Sequence, residues 1–291
     1  MTDFDAPVHI VRALVAAALA EDIGPLGDLT AALVPADASA SVDVVARADG
    51  VIAGTACATE VFAQVDGSVR VQWLVDDGDA VGPATKVGEV TGPLRTVLTG
   101  ERSALNFLCH LSGVATATRR FVEAAGPRCR IWDTRKTLPG LRAVEKAAVR
   151  AGGGVNHRGS LSELVLVKDN HLAGLGITEA VHRARALWPG RAVEVECDHA
   201  AQVQEAIAAG ATMVLLDNMT PDAVRACVSL ARSTAPVGFL VEVSGGVTLD
   251  NVRAYADAGA DMISTSVFTQ SAPALDLAFD LRPGSPTDEE G

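Results

Sequence analysis

The second half of this chain alternates between two kinds of segment, and no other feature constrains its fold as much. Apolar, strand-like runs RCRIWD, ELVLVK, AVEVE, TMVLLD, GFLVEV and DMIST are separated by helical segments such as ITEAVHRARALW, AAQVQEAIAAG, PDAVRACVSLA and LDNVRAYADAG. Strand ends at Lys168, Glu196, Asp217, Val243 and Thr265 lie about 21 to 28 residues apart, the period of a repeated β–α unit with parallel strands. A β/α barrel is the architecture that fits. Six convincing strands are fewer than the eight of a closed barrel, so an incomplete, open one is expected.

The first half reads differently. Residues 41–100 contain short β-branched or alternating runs, SVDVVARA, VIAG and VRVQWLV, punctuated by Gly-rich turns including DDGDAVG, and predict a β-rich N-terminal domain. Ahead of it, Val8, Val11, Leu14, Val15 and Leu19 fit one face of a helix. Thr99 as a cap, Glu101 in the first turn and Leu105, Leu108 and Leu111 at helical spacing predict a helix from Thr99 to about Arg120. The final stretch RPGSPTDEEG lacks hydrophobic periodicity and reads as a disordered tail. The expected division is residues 1–112 as N-terminal domain, 113–270 as barrel and 271–291 as C-terminal segment and tail.

Charge narrows the partners. Lys and Arg number 24 against 36 Asp and Glu, a formal net charge of −12, which argues against nucleic acid or an anionic membrane as a bulk partner. Five cysteines, odd in number and without a C-x-x-C pair, suggest neither a disulfide framework nor a zinc site. The N-terminus opens with acids and its apolar run is broken by Arg12, so no signal peptide or membrane span is read there and a soluble cytoplasmic protein is expected. Any anionic ligand must therefore be met by a local concentration of positive charge.

Such a concentration exists. Ligand chemistry in α/β folds gathers at the carboxyl ends of the strands, and nearly every end here carries a polar cluster: 133–136, 168–171, 196–198, 217–218, 244–246 and 264–266. Three of the four lysines, Lys136, Lys146 and Lys168, fall within 133–171, where seven cations face four acids. Arg142, Lys146 and Arg150 fit a solvated helix face, whereas Arg135, Lys136, Arg158 and Lys168 flank strands or turns and read as an anion site. The run AGGGVNHRGS has neither P-loop lysine spacing nor a dinucleotide fingerprint, and serves to turn the backbone and present His157 and Arg158. VEVSGGV suits a phosphate cup, a Ser244-Gly245-Gly246 turn offering backbone N–H groups at a helix N-terminus. Glu196 and Asp217, carboxylates on neighbouring strand ends with no soft ligands nearby, suit Mg²⁺ shared with substrate phosphates. The alternative, that both are salt-bridge partners for the lysines, stays open. Together these features imply a polyphosphorylated sugar beside a carboxylate-bearing ring.

In order and at consistent spacing from about Glu21 to Asp280, the segments ERSALNFLCHLSG, DTRKTLPGLRAVEKAAVRAGGGVNHR, LVKDNH, VEVECD, LLDN and VSGGVTLDN strongly resemble the quinolinate phosphoribosyltransferases. The resemblance implies an N-terminal α/β sandwich followed by an incomplete β/α barrel. It also implies transfer of phosphoribose from phosphoribosyl pyrophosphate to quinolinate, with loss of CO₂ and pyrophosphate, giving nicotinate mononucleotide for NAD synthesis. It implies a head-to-tail homodimer in which Arg102 reaches the partner's barrel. By motif match, Arg135, His157, Arg158 and Lys168 would bind quinolinate with Arg102, Lys136 the pyrophosphate, and Thr134 would also bind substrate. Glu196 and Asp217 would hold Mg²⁺, and Ser244, Gly245, Gly246, Thr265 and Ser266 the 5′-phosphate. Lys136, Lys168, Glu196 and Asp217 form the implied catalytic set, with no general base. The chain departs from the family where Gly is common at Ser266 and His at Gln270. Two rivals share the architecture: a nicotinate phosphoribosyltransferase, whose substrate has one carboxylate, and an accessory protein linked to molybdate transport, which diverges at NHR and KDNH.

Overall fold

The structure, a computed structural model, describes residues 5–282. In chain order the elements are α1 (Val8–Ile23), β1 (Ser39–Ala46), β2 (Gly50–Val51), α2 (Thr55–Val65), β3 (Arg70–Trp73), β4 (Ala80–Val81), β5 (Lys86–Pro93) and α3 (Leu94–Ala125). There follow β6 (Arg130–Trp132), α4 (Arg142–Ala151), β7 (Val165–Val167), α5 (Ile177–Leu187), β8 (Val193–Cys197), α6 (Ala200–Ala209) and β9 (Met213–Asp217). The last are α7 (Pro221–Thr234), β10 (Leu240–Ser244), α8 (Val252–Asp257), β11 (Met262–Ser264), α9 (Val267–Gln270) and β12 (Leu277–Leu281). Two compact units emerge, one from the described parts of residues 1–119, 137–153 and 268–291, the other from residues 120–136 and 154–267. Helix α3 runs unbroken through residue 112, where the sequence places its boundary, and the change of unit falls after Arg119.

The first unit holds a four-stranded antiparallel sheet in the order β12-β1-β5-β3. Strand β1 alternates between half-buried and buried residues, as a strand with one face on a core must. Helix α1 buries Val11, Val15 and Leu19, the expected stripe, and leaves Val8 exposed. Strand β12 was not expected: it returns from the far end of the sequence to pair with β1, Val44 opposite Phe279. Arg282, the first residue of the expected tail, pairs with Asp43 and Glu89, which also hold Lys86. Arg282 first and Lys86 second pull the Glu89 pKa down to about 2. The rest of that tail lies outside the described residues. The helix expected from Thr99 begins earlier, at Leu94, directly after β5. Thr99 is no cap; its hydroxyl donates within the helix to the Arg95 carbonyl at 2.9 Å.

The second unit is the expected open barrel. Its strands are all parallel, in the order β6-β11-β10-β9-β8-β7. They read as continuous apolar runs because helices cover one face and side chains fill the other. Val193, Val195, Val214, Leu216, Val241 and Val243 are wholly buried, and each such residue stabilises the fold by roughly 1.5–3 kcal/mol relative to exposure. Beyond β6 the sheet gains a single parallel bridge, Trp132 to Val155, before the chain leaves it. The barrel therefore has a one-residue stub where a strand between β6 and β7 would stand. Helix α7 shows how the crossovers start: Pro221 opens the first turn and Thr220 Oγ1 accepts the Ala223 N–H at 3.3 Å. Among the described residues, no helix is long and apolar enough to cross a membrane.

Candidate active site

The first strand end is organised by a buried acid. Asp133, immediately after β6, is fully buried; its Oδ1 accepts the His157 N–H at 2.8 Å and its Oδ2 the Asn156 side-chain amide at 2.7 Å. Asp133 thus ties the Gly-rich run to the end of β6. Thr134 and Arg135 follow half-buried and Lys136 exposed, and the Lys136 N–H donates to Thr134 Oγ1 at 2.9 Å, a local turn that needs the hydroxyl.

Arg158 belongs to the same loop and is half-buried; its Nη1 donates to the Leu164 carbonyl at 3.2 Å. Burial first, and then the positive charge of Arg135, push its pKa down. Two guanidinium groups that repel each other favour an anion both can reach.

His157 differs from the expectation that it faces the substrate. Its ring is turned inward, with Nε2 3.3 Å from Glu194 Oε2 and 3.3 Å from Glu242 Oε2, while Nδ1 accepts the Arg158 N–H at 2.7 Å. Both glutamates are fully buried, and the edge of the imidazole meets Trp132 at a ring separation of 5.4 Å. Burial alone would lower the His157 pKa, but hydrogen bonding and charge from the two glutamates raise it to about 9. The second ring proton that this pull favours would have to sit on Nδ1, head-on against the Arg158 N–H, so the 2.7 Å contact opposes it and the ring keeps a single proton, on Nε2. Burial, and then the charge of Glu242, raise the pKa of Glu194.

Lys168, which follows β7, forms an ion pair with Glu196 of β8, so the salt-bridge alternative describes Glu196 as it stands. Asp217 ends β9 and accepts the Asn218 side-chain amide at 2.6 Å. Among the described residues, neither acid belongs to a cluster of three or more ligating side chains. Two carboxylates without imidazole or thiolate suit Mg²⁺, which keeps waters and takes substrate phosphates as its remaining ligands.

Next to Asp217, Ser244 ends β10 and leads into Gly245 and Gly246, both at positive φ, 84° and 61°. Consecutive positive φ values turn successive N–H groups into a concave donor surface. No helix begins directly after the turn, contrary to expectation: α8 starts only at Val252. Thr265 and Ser266 lie at the end of β11, with the Thr265 N–H on the Trp132 carbonyl at 3.2 Å. Arg102 is exposed on α3, in the other unit.

Sequence reasoning missed Glu194 and Glu242, and it placed Asn218 at a strand end without giving it a role. A usable signal existed for the first: the acids of VEVE are two residues apart, so both point to the same face of β8, one at the strand end and one inside the barrel.

Comparison with known proteins identifies the family of the chain as a whole. Family models described as the C-terminal and N-terminal domains of quinolinate phosphoribosyl transferase match residues 114–280 and 28–112. A probable nicotinate-nucleotide pyrophosphorylase [carboxylating] from Bacillus subtilis is 40% identical over 93% of both chains, and one from Synechocystis is 44% identical over 90% of both. The solved nicotinate-nucleotide pyrophosphorylase of Francisella tularensis superposes with a TM-score of 0.90 at 37% identity, covering 96% of this chain and 98% of that one. A human nicotinic acid phosphoribosyltransferase, at a TM-score of 0.59 and 16% identity, shares the fold alone. With both of its domains matched in order, this chain belongs to the quinolinate phosphoribosyltransferase family.

Proposed function

We propose that this enzyme transfers the phosphoribosyl group of phosphoribosyl pyrophosphate to the ring nitrogen of quinolinate, in the cytoplasm, and releases CO₂, pyrophosphate and nicotinate mononucleotide for NAD synthesis. The observation that carries this reading is the placement of two half-buried arginines at one strand end: Arg135 follows β6, and Arg158 sits on the loop that Asp133 ties to the same strand, where the charge of Arg135 weighs on it and an anionic guest would relieve it. Quinolinate has two adjacent carboxylates. A hydrogen bond to a charged group contributes about 1.5–3 kcal/mol, so one cation does not offset the several kcal/mol that removing each charge from water costs. Lys168 adds a third cation from the next strand end, and the exposed Arg102 adds a fourth from the partner of a head-to-tail homodimer.

In the reaction the ring nitrogen attacks the anomeric carbon as the bond to pyrophosphate breaks, and the electron pair leaves with pyrophosphate. Lys136, exposed after β6, stabilises the departing group. The Ser244-Gly246 turn and the Thr265-Ser266 segment hold the 5′-phosphate. Glu196 and Asp217 would hold Mg²⁺, which would supply charge to offset that on the pyrophosphate. The alkylated pyridinium accepts the electron pair released with CO₂, and the vacated ring carbon takes a proton from solvent. Holding both substrates in line is the protein's main task.

Pyrophosphate release is the deciding assay, run with phosphoribosyl pyrophosphate and Mg²⁺ plus either quinolinate or nicotinate. Turnover is expected with quinolinate. A preference for nicotinate would instead assign the single-carboxylate reaction.

A further inference from the structure

Two carboxylic acids stand inside the barrel with no part in the chemistry above. Glu194 on β8 and Glu242 on β10 are fully buried, and among the described residues their four carboxyl oxygens have only long or poorly aligned partners, each other and His157. The donor placed on them is His157 Nε2, 3.3 Å from an oxygen of each. Buried acids left in this state destabilise a core, and apolar residues of similar volume would pack the same space at lower cost. Their presence calls for a role other than stability.

That role is legible in what the imidazole does with its other nitrogen. A backbone N–H is a fixed donor, so the 2.7 Å bond from Arg158 N to His157 Nδ1 requires a lone pair on Nδ1. The ring proton then sits on Nε2, and the acids are what keep it there. A protonated Nε2 has no lone pair for a cation, so this cluster of one histidine and two acids does not read as a metal site. Asp133 holds the His157 backbone N–H and the Asn156 amide from the other side, and Trp132 packs against the ring at right angles. The loop is thereby clamped at the residue before Arg158, where no sheet ladder supports it.

We infer that Glu194 and Glu242 are positioning residues for substrate: they hold His157 as its Nε2–H tautomer, so that Nδ1 fixes the backbone of Arg158 and aims its guanidinium at a ring dicarboxylate. This rests on the quinolinate reading of the site.

Two measurements on the full chain test it. In the unaltered protein, long-range ¹⁵N–¹H spectra should show His157 with an unprotonated Nδ1; a proton on Nδ1, or an Nε2 proton displaced by added Zn²⁺, overturns the proposal whether or not the variants fold. Glu194→Met/Glu242→Met, which fills the space and leaves Nε2–H without an acceptor, should raise the KM for quinolinate about tenfold, leave that for phosphoribosyl pyrophosphate within twofold, and shift the His157 nitrogens. A folded double variant with an unchanged quinolinate KM, or with both KM values raised together, contradicts the inference. If unaltered protein fails to turn over quinolinate, the functional reading is what has failed; the tautomer measurement still stands.

Discussion

The side-chain carbonyl of Asn218 occupies the space that a β-carbon on Gly245 would need. Asn218 itself sits at φ 53°, its N–H bonded to the Ser244 carbonyl at 3.0 Å, and its amide holds Asp217. One residue thus couples Asp217, proposed to hold Mg²⁺, to the Ser244-Gly245-Gly246 turn proposed to hold phosphate. Gly245→Ala would collide with that carbonyl, approach the Asn218 backbone nitrogen to 2.9 Å and force a side chain to φ 84°. Destabilisation of about 1–3 kcal/mol in urea unfolding, with a raised KM for phosphoribosyl pyrophosphate, is the expected outcome. A fully active, equally stable variant would remove the turn from the phosphate site.

Arg158→Lys keeps the charge and loses the planar fork. Loss of one charge-assisted hydrogen bond corresponds to roughly a ten- to hundredfold rise in KM for quinolinate, measured at saturating phosphoribosyl pyrophosphate. An unchanged KM would show that Arg158 serves the fold alone.

Glu196→Ala combined with Asp217→Ala should flatten the dependence of rate on Mg²⁺ concentration. The single Glu196→Ala variant also leaves Lys168 without its ion-pair partner. A double variant whose rate climbs with Mg²⁺ as the parent's does would rule out the metal assignment.

Sharing of Arg102 across a dimer predicts complementation. Arg102→Ala and Arg135→Ala subunits, each inactive alone, should regain activity when mixed, because one site of each mixed dimer has both arginines. Mixtures as inactive as their components argue against sharing.

The cluster of Arg282, Glu89, Asp43 and Lys86 gives a pH dependence with a definite sign. The folded-state pKa of Glu89 is depressed to about 2 from an ordinary 4.5, so its contribution is fully present above the ordinary value. It is lost as pH falls through the interval from 4.5 to 2. Removing the partner by Arg282→Gln should shrink the drop in urea midpoint between pH 5 and pH 3; an identical drop in parent and variant would dissociate the cluster from acid stability.

The barrel was legible because its strands are buried on both faces and therefore appear as uninterrupted Val/Leu/Ile runs, with their polar ends at Lys168, Glu196 and Asp217 standing out against them. Local pattern says nothing about partners far along the chain. LAFDL becomes strand β12 only because β1, more than two hundred residues earlier, offers it an edge. Helix α3 starts at Leu94 despite a flanking proline and a plausible cap at Thr99, since its buried stripe extends further back than the cap signal. The cations Arg135, Lys136, Arg158 and Lys168 stand out in the sequence, but the direction of the His157 ring does not. Neighbouring arginine and glycines make a ligand-facing histidine expected, while the acids that turn it inward, Glu194 and Glu242, look in sequence like interruptions of apolar strands.

The stub at Val155 has one more implication. Because the chain leaves the sheet after two main-chain bonds at Val155, the segment proposed to hold the aromatic acid is fastened beyond that point by the Asp133 side chain and not by further rungs. Recognition of the ring can consequently drift by exchange of a few anchoring groups while the surrounding staves keep every bond they have, which makes this gap the natural place to re-engineer which heterocycle the enzyme accepts.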